Sequence, residues 1–243
     1  MKTKPYVRFL NRVAHYDADI EIADVFSRSL PALHTAGGLR IFDAVDPTHH
    51  PRLAARVPSP HNRRLALSHL KSTLYSSFLK DLYEDVSAYL TDILAAAARH
   101  GFDPKRLVGD VKVEVRPNDI LTAGNWKNVV ELVAQAIFRG LENRRNTKEL
   151  LTRINSTLDL GVQANRIKNA LPYLEMRHLL VHKDGIADSK FCDEFPTFCS
   201  TGQKLQLDYL MIQDARRAVT ALVEEFDNKV VAKGIVSRTD MQP

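Results

Sequence analysis

The chain has 243 residues, 44% of them hydrophobic and 26% charged, and a formal net charge of +5. These proportions exclude a disordered or collagen-like chain. The longest weakly charged stretch, 89–98, is interrupted by Asp92 and falls far short of the ~20 apolar residues needed to span a bilayer. The opening MKTKPYVRFLNR has no apolar signal core, and two cysteines in a chain this long do not form a disulfide framework. A cytoplasmic protein without a membrane partner is expected, built as one helical domain with appended segments.

In chain order, the first predicted element is a helix over 18–33, where Ile20, Ile22, Ala23, Phe26, Leu30 and Leu33 recur mostly at helical intervals until Gly37-Gly38 stop the pattern. Four prolines between residues 46 and 61 then predict a loop or tether. From Arg64 a long amphipathic helix is expected: Leu67, Leu70, Leu74, Phe78, Leu82, Val86, Leu90 and Leu94 step by three or four, and Gly101 ends it. The alternating stretch 111–115 is short and ends near Pro117, so it reads as connecting structure.

Three further helices follow. One covers about 126–141, and one follows the cap-like Asn146-Thr147 and ends before Gly161. The third carries Ile167, Leu171, Leu174, Leu179 and Leu180 and halts at Gly185, with Pro172 either kinking it or marking its first turn. A closing helix over about 205–233 carries Leu207, Leu210, Met211, Ala215, Val219, Leu222, Val223 and Phe226. The expected architecture is all-α, an antiparallel bundle, with 1–61 as N-terminal helix and linker, 62–234 as the helical domain and 235–243 as a tail.

The densest cluster of reactive groups is Glu175-Met-Arg177-His178-Leu-Leu-Val-His182-Lys183-Asp-Gly185. At about 100° per residue, His178 and His182 share a helix face while Arg177 lies about 140° round from His182. One ideal helix therefore does not converge all three. Convergence requires a frayed last turn, the reach of the arginine, or a second copy of the motif. Bland roles stand beside the chemical one: His182 near a helix C-terminus complements the helix dipole, worth about 0.3–1 kcal/mol when exposed, Arg177 can pair with a carboxylate such as Glu175, and His178 can be ordinary surface.

The pattern Arg177-x₄-His182, with a polar residue directly after the arginine, apolar residues between and Lys-Asp-Gly behind, resembles the R-x₄₋₆-H signature of the HEPN superfamily, nearest to its RiboL-PSP branch. The order of helices over 61–233 is similar to that family as well. The resemblance implies a metal-independent endoribonuclease that needs no cofactor, acts as a homodimer with a composite active site, and serves as a toxin or phage-defence effector, with an antitoxin or regulatory protein as a further partner. RNA carries its own nucleophile, the 2′-hydroxyl, so the protein need only move protons and steady a crowded phosphorane. On this reading His182 is the acid/base, Arg177 the phosphate clamp and His178 a second polar contact or proton-transfer partner, giving 2′,3′-cyclic phosphate ends. Arg144, Arg145, Arg166, Lys168 and Lys183 are the expected phosphate-binding cations, in or near a basic run that also reads as a solvated face. Binding that weakens steeply with salt is expected. The alternative is a non-catalytic HEPN module that dimerises and binds a nucleotide, RNA or a partner protein through the same cleft.

Other candidates carry less. Asp17-x-Asp19 has no Gly-Ser element before it and reads as a solvated helix start; His49, His50 and His61 lie in a proline-rich loop without cysteine or carboxylate at ligand spacing. Cys192 and Cys199 match neither a zinc knuckle nor a C-x-x-C pair, and are expected as buried or free thiols. There is no phosphate-cradling glycine loop, no nucleophile elbow and no recognisable DNA-binding motif.

Overall fold

The computed structural model describes residues 1–33, 45–56, 59–101, 114–142 and 147–242. The described residues are all-α apart from a two-stranded sheet: β1 (Lys2–Thr3), α1 (Lys4–Leu33), α2 (Pro51–Arg56), α3 (Pro60–Arg99), α4 (Pro117–Thr122), α5 (Trp126–Glu142), α6 (Thr147–Thr157), α7 (Ala164–His182), α8 (Ser189–Glu194), α9 (Tyr209–Ala232), a 3₁₀ turn (Arg238–Asp240) and β2 (Met241–Gln242). Arg144, Arg145 and most of 111–115 lie outside the described residues.

The 40-residue α3 is the spine, and α1, α5, α7 and α9 pack against it. Its start differs from the sequence reading because Pro60 occupies the first turn, where the missing N–H costs nothing, while the Ser59 side chain accepts a hydrogen bond from the Asn62 backbone. A further proline, Pro51, likewise opens the short α2 inside the stretch read as a tether. From Tyr75 to Leu90 the spine buries a broad face that includes Tyr75, Phe78, Leu79, Leu82, Tyr89 and Leu90, and from Ile93 to Ala97 it is buried all round.

The leading segment is integral to that core. Helix α1 begins at Lys4, not near Ala18, and its Tyr6, Phe9, Val13 and Ile20 form a helically spaced stripe buried in the same hydrophobic cluster as α3 and α9. Arg12–Asp85 (2.8 Å), Arg8–Asp92 (2.9 Å) and Asp17–Arg216 (2.8 Å) border the packed seams. Asp17, one of the Asp-x-Asp pair, thus serves as an ion-pair partner of α9.

The tail is docked too. Ile235 and Val236 are buried, Asp240 meets Arg99 (3.3 Å) and His100 (2.7 Å), and β2 pairs antiparallel with β1, Lys2 opposite Gln242 and Thr3 opposite Met241. Boundaries at residues 61 and 235 therefore divide the sequence, not the core. No helix of the described residues is long and apolar enough to cross a membrane.

Candidate active site

Helix α7 carries the motif and ends where the sequence requires. Lys183 N–H and Gly185 N–H both donate to the Leu179 carbonyl (2.9 and 3.0 Å), and Gly185 turns the chain at φ +78°, a conformation that strains any residue with a Cβ. Pro172 lies inside this helix, eight residues beyond its start, so it does not mark the first turn. The apolar residues Leu171, Leu174, Met176 and Leu179 are buried, which fixes the rotation of the helix and turns His178 and His182 outward.

Those two histidines line an open cleft of about 780 Å³, together with Arg177, Lys183, Glu175 and Leu174 of the same segment. Tyr83 of α3, the start of α6 at Thr147 and Leu150, and the segment Asp188, Lys190, Phe191, Glu194 and Phe195 complete its walls. The imidazole rings of His178 and His182 are 5.0 Å apart between centroids, as their four-residue spacing anticipates.

Arg177 reaches the cleft from its different helical angle by crossing to the spine. Its guanidinium lies 4.8 Å from the Tyr83 ring centroid, and Nη2 donates to Glu84 Oε1 at 2.9 Å. The ring supports the guanidinium by cation–π attraction and the carboxylate fixes its direction. Glu84, not Glu175, is thus the carboxylate that holds Arg177. Glu175 instead accepts the Thr147 backbone N–H at 3.0 Å and so caps the N-terminus of α6.

Charge in the cleft is mixed. The cations Arg177, Lys183 and Lys190 face the carboxylates Glu175, Asp188 and Glu194. Two of these carboxylates have local duties: Glu175 caps α6, and Asp188 accepts the Phe191 N–H at 2.9 Å to cap α8. The His178 pKa is lowered from the ordinary imidazole value, first by burial and then by repulsion from His182, with a smaller push from Lys183; together these outweigh attraction to Asp188 and Glu175. His178 consequently remains a neutral imidazole, able to accept a proton, to lower pH than a free histidine. Removing its neighbour tests this directly: His182→Ala is expected to raise the His178 pKa, read from the ring proton shifts in an NMR titration, and an unchanged value would show the two rings to be electrostatically independent.

The remaining predicted cations are placed elsewhere. Arg166 and Lys168 lie in the first turns of α7, so about 16 Å of helix axis separates Arg166 from Arg177 at 1.5 Å per residue. Arg166 pairs with Glu225 of α9 at 3.2 Å. Neither residue lines the cleft, whereas Lys183 does. His49 meets Asp46 at 3.1 Å and His50 accepts the Asp46 backbone N–H at 3.1 Å, so these histidines close a local turn. Among the described residues no group of three or more His, Cys, Asp or Glu is placed to hold a metal ion.

Sequence reasoning did not find Tyr83, Glu84, Asp188 or Lys190. Tyr83 and Glu84 sit in the middle of a long helix, and Glu84 is 93 residues before the arginine it holds, so no local spacing points to them. No family model, curated protein or solved structure matches the chain.

Proposed function

We propose that this cleft cleaves RNA, with the 2′-hydroxyl of the substrate as nucleophile. The observation that carries the reading is the pairing of two imidazoles, 5.0 Å apart on the wall of an open cleft, with a guanidinium held ready on the same wall. Transesterification within RNA needs a base to take the 2′-hydroxyl proton, an acid to protonate the departing 5′-oxygen, and a cation for the phosphorane oxygens. His178, its pKa lowered by partial desolvation and by repulsion from its neighbour, suits the base; His182 supplies the departing oxygen with a proton; Arg177 binds the phosphate through the guanidinium edge that Glu84 leaves open. Of the two roles expected for His178 from the sequence, second polar contact or proton-transfer partner, this reading takes the second, and His182 keeps its acid role.

Val181 and Ile186, each nearly half exposed and flanking residues 182–185 in the chain, offer an apolar border on which a second copy of the chain docks, bringing a second Arg177-His182 set to the cleft. Membership of the HEPN superfamily, and with it the role of toxin or defence effector and a restraining partner, belongs to the same proposal and rests on the motif at 177–182.

One observation favours a second reading. Arg177 is already engaged by Glu84, and carboxylates balance the cations of the cleft, which suits a module that binds a ligand without cutting it. Incubation of purified protein with RNA in excess EDTA, beside DNA of the same sequence, separates the two. Cleavage of RNA with DNA spared is the expected result. Intact RNA under these conditions supports the binding module.

A further inference from the structure

Both cysteines of the chain lie in the segment that forms the outer wall of the cleft. This segment leaves α7 at Gly185 and returns at Leu205, and three backbone hydrogen bonds close its neck: Ala187 N–H to Gln203 O (2.9 Å), Gly202 N–H to Ala187 O (2.8 Å) and Leu205 N–H to Gly185 O (2.8 Å). Inside the loop, Phe191, Phe195 and Phe198 contact one another in sequence, and Phe198 meets Tyr173 of α7 edge-on at 5.4 Å. Cys192, within α8, and Cys199, after the turn that follows it, are both free thiols whose sulfurs are 2.7 Å apart.

That separation is shorter than an ordinary contact between unbonded sulfurs and needs to close only to about 2.0 Å for a disulfide. The geometry points to an intramolecular Cys192–Cys199 disulfide, a redox modification site in the cleft wall whose reaction partner is a low-molecular-weight disulfide of the glutathione type. Cys199, the more exposed of the two, loses its proton to solvent, and its thiolate attacks one sulfur of the small disulfide, expelling one small thiolate that takes up a proton. Cys192, deprotonated in turn, attacks the Cys199 sulfur of the mixed disulfide; the Sγ–Sγ bond forms and the second small thiol leaves. Two protein thiols are oxidised by two electrons and one small disulfide is reduced to two thiols.

Burial first, and then the Cys192 thiol beside it, push the Cys199 thiol up to about 12. Thiolate is therefore scarce at neutral pH, and the exchange is slow there. The bond ties α8 to the chain beyond it, and Phe191, Glu194 and Phe195, which line the cleft, lie beside or within the closed ring.

The test uses the full chain incubated with oxidised glutathione in mildly alkaline buffer, then denatured and alkylated with N-ethylmaleimide. The expected product is a single chain that has lost two hydrogens and takes up no alkyl group, with both cysteines linked inside the tryptic peptide 191–204. Cys199→Ser is expected to keep one alkylatable thiol. Backbone amides of 189–199 are expected to exchange with deuterium more slowly in the oxidised protein. Persistence of two alkylated cysteines, arrest at a glutathione adduct, a disulfide between two chains, or unchanged amide exchange would each overturn the inference. Thiol and amide readouts stand apart from RNA cleavage, so this site and the proposed ribonuclease activity can fail separately.

Discussion

His182→Ala is expected to lower the rate of RNA cleavage by roughly 10²–10⁴, the range that a positioned acid or base contributes. Arg177→Ala is expected to cost about 10²–10³, as loss of one preorganised donor to the transition-state oxygens does. Both variants should fold, because His182 is exposed at the last residue of α7 and the Arg177–Glu84 pair is partly exposed, where such pairs are worth about 0–1 kcal/mol. Arg177→Lys should fail to restore the rate, since an ammonium neither stacks on Tyr83 as a plane nor presents two parallel donors. If the imidazoles act as a pair, the double variant His178→Ala/His182→Ala should be little slower than the worse single variant. Cleavage by His182→Ala at the wild-type rate, in a protein whose thermal melt is unchanged, would remove His182 from the chemistry.

Asp227→Ala is expected to be strongly destabilising. Asp227 is fully buried in α9; one carboxylate oxygen accepts from the Thr3 hydroxyl and lies 3.5 Å from the Tyr89 hydroxyl, and the other accepts the Thr3 backbone N–H at 3.2 Å. Truncation strands these buried donors, each costing about 1–3 kcal/mol, and unfastens β1 from the bundle. A total of roughly 3–5 kcal/mol lowers the melting temperature by about 6–20 °C in a chain of this size. Asp227→Asn, which keeps one acceptor, should lose less. Burial raises the Asp227 pKa, against the lowering effects of the Thr3 hydrogen bonds, Lys2 and Tyr89. A carboxyl whose folded pKa lies above its unfolded value binds its proton more tightly in the native state. Its contribution is therefore most favourable below the unfolded value of about 3.9 and declines as pH rises through the folded value, a dependence Asp227→Asn should abolish. A melt of Asp227→Ala within a degree of wild type would show that the N-terminal strand is not held by this residue.

The helices were legible wherever an apolar stripe repeats every three or four residues and a small or capping residue punctuates it. The stripe of α3 running from Phe78 through Leu94, the stop of α7 at Gly185 and the last helix follow from that rule. The first half of α1 was not legible, because Tyr6, Phe9 and Val13 are interleaved with Arg8, Asn11 and Arg12, which dilute the periodic signal, although they are enough to bury one face. Prolines misled in the other direction: Pro51 and Pro60 open helices, where a lost donor has no partner to lose.

In the cleft, the shared face of His178 and His182 is a property of one helix and was readable from spacing. The carboxylate that orients Arg177 and the walls supplied by Tyr83 and by 188–195 are properties of how helices pack, and local sequence carries no record of that register. The same reasoning separates the cations. Lys183 follows the motif directly and shares its cleft, whereas Arg166 and Lys168 share its helix but sit turns away.

The most direct measurement uses an oligonucleotide with one ribose in an otherwise 2′-deoxy strand, incubated with the protein in excess EDTA and resolved by mass spectrometry. Cutting only after that ribose, with a 2′,3′-cyclic phosphate on one fragment and a 5′-hydroxyl on the other, is the predicted result. Fragments ending in 3′-hydroxyl and 5′-phosphate would mean that water or another group, not the 2′-hydroxyl, attacks the phosphorus, and would contradict the roles given to His178, His182 and Arg177.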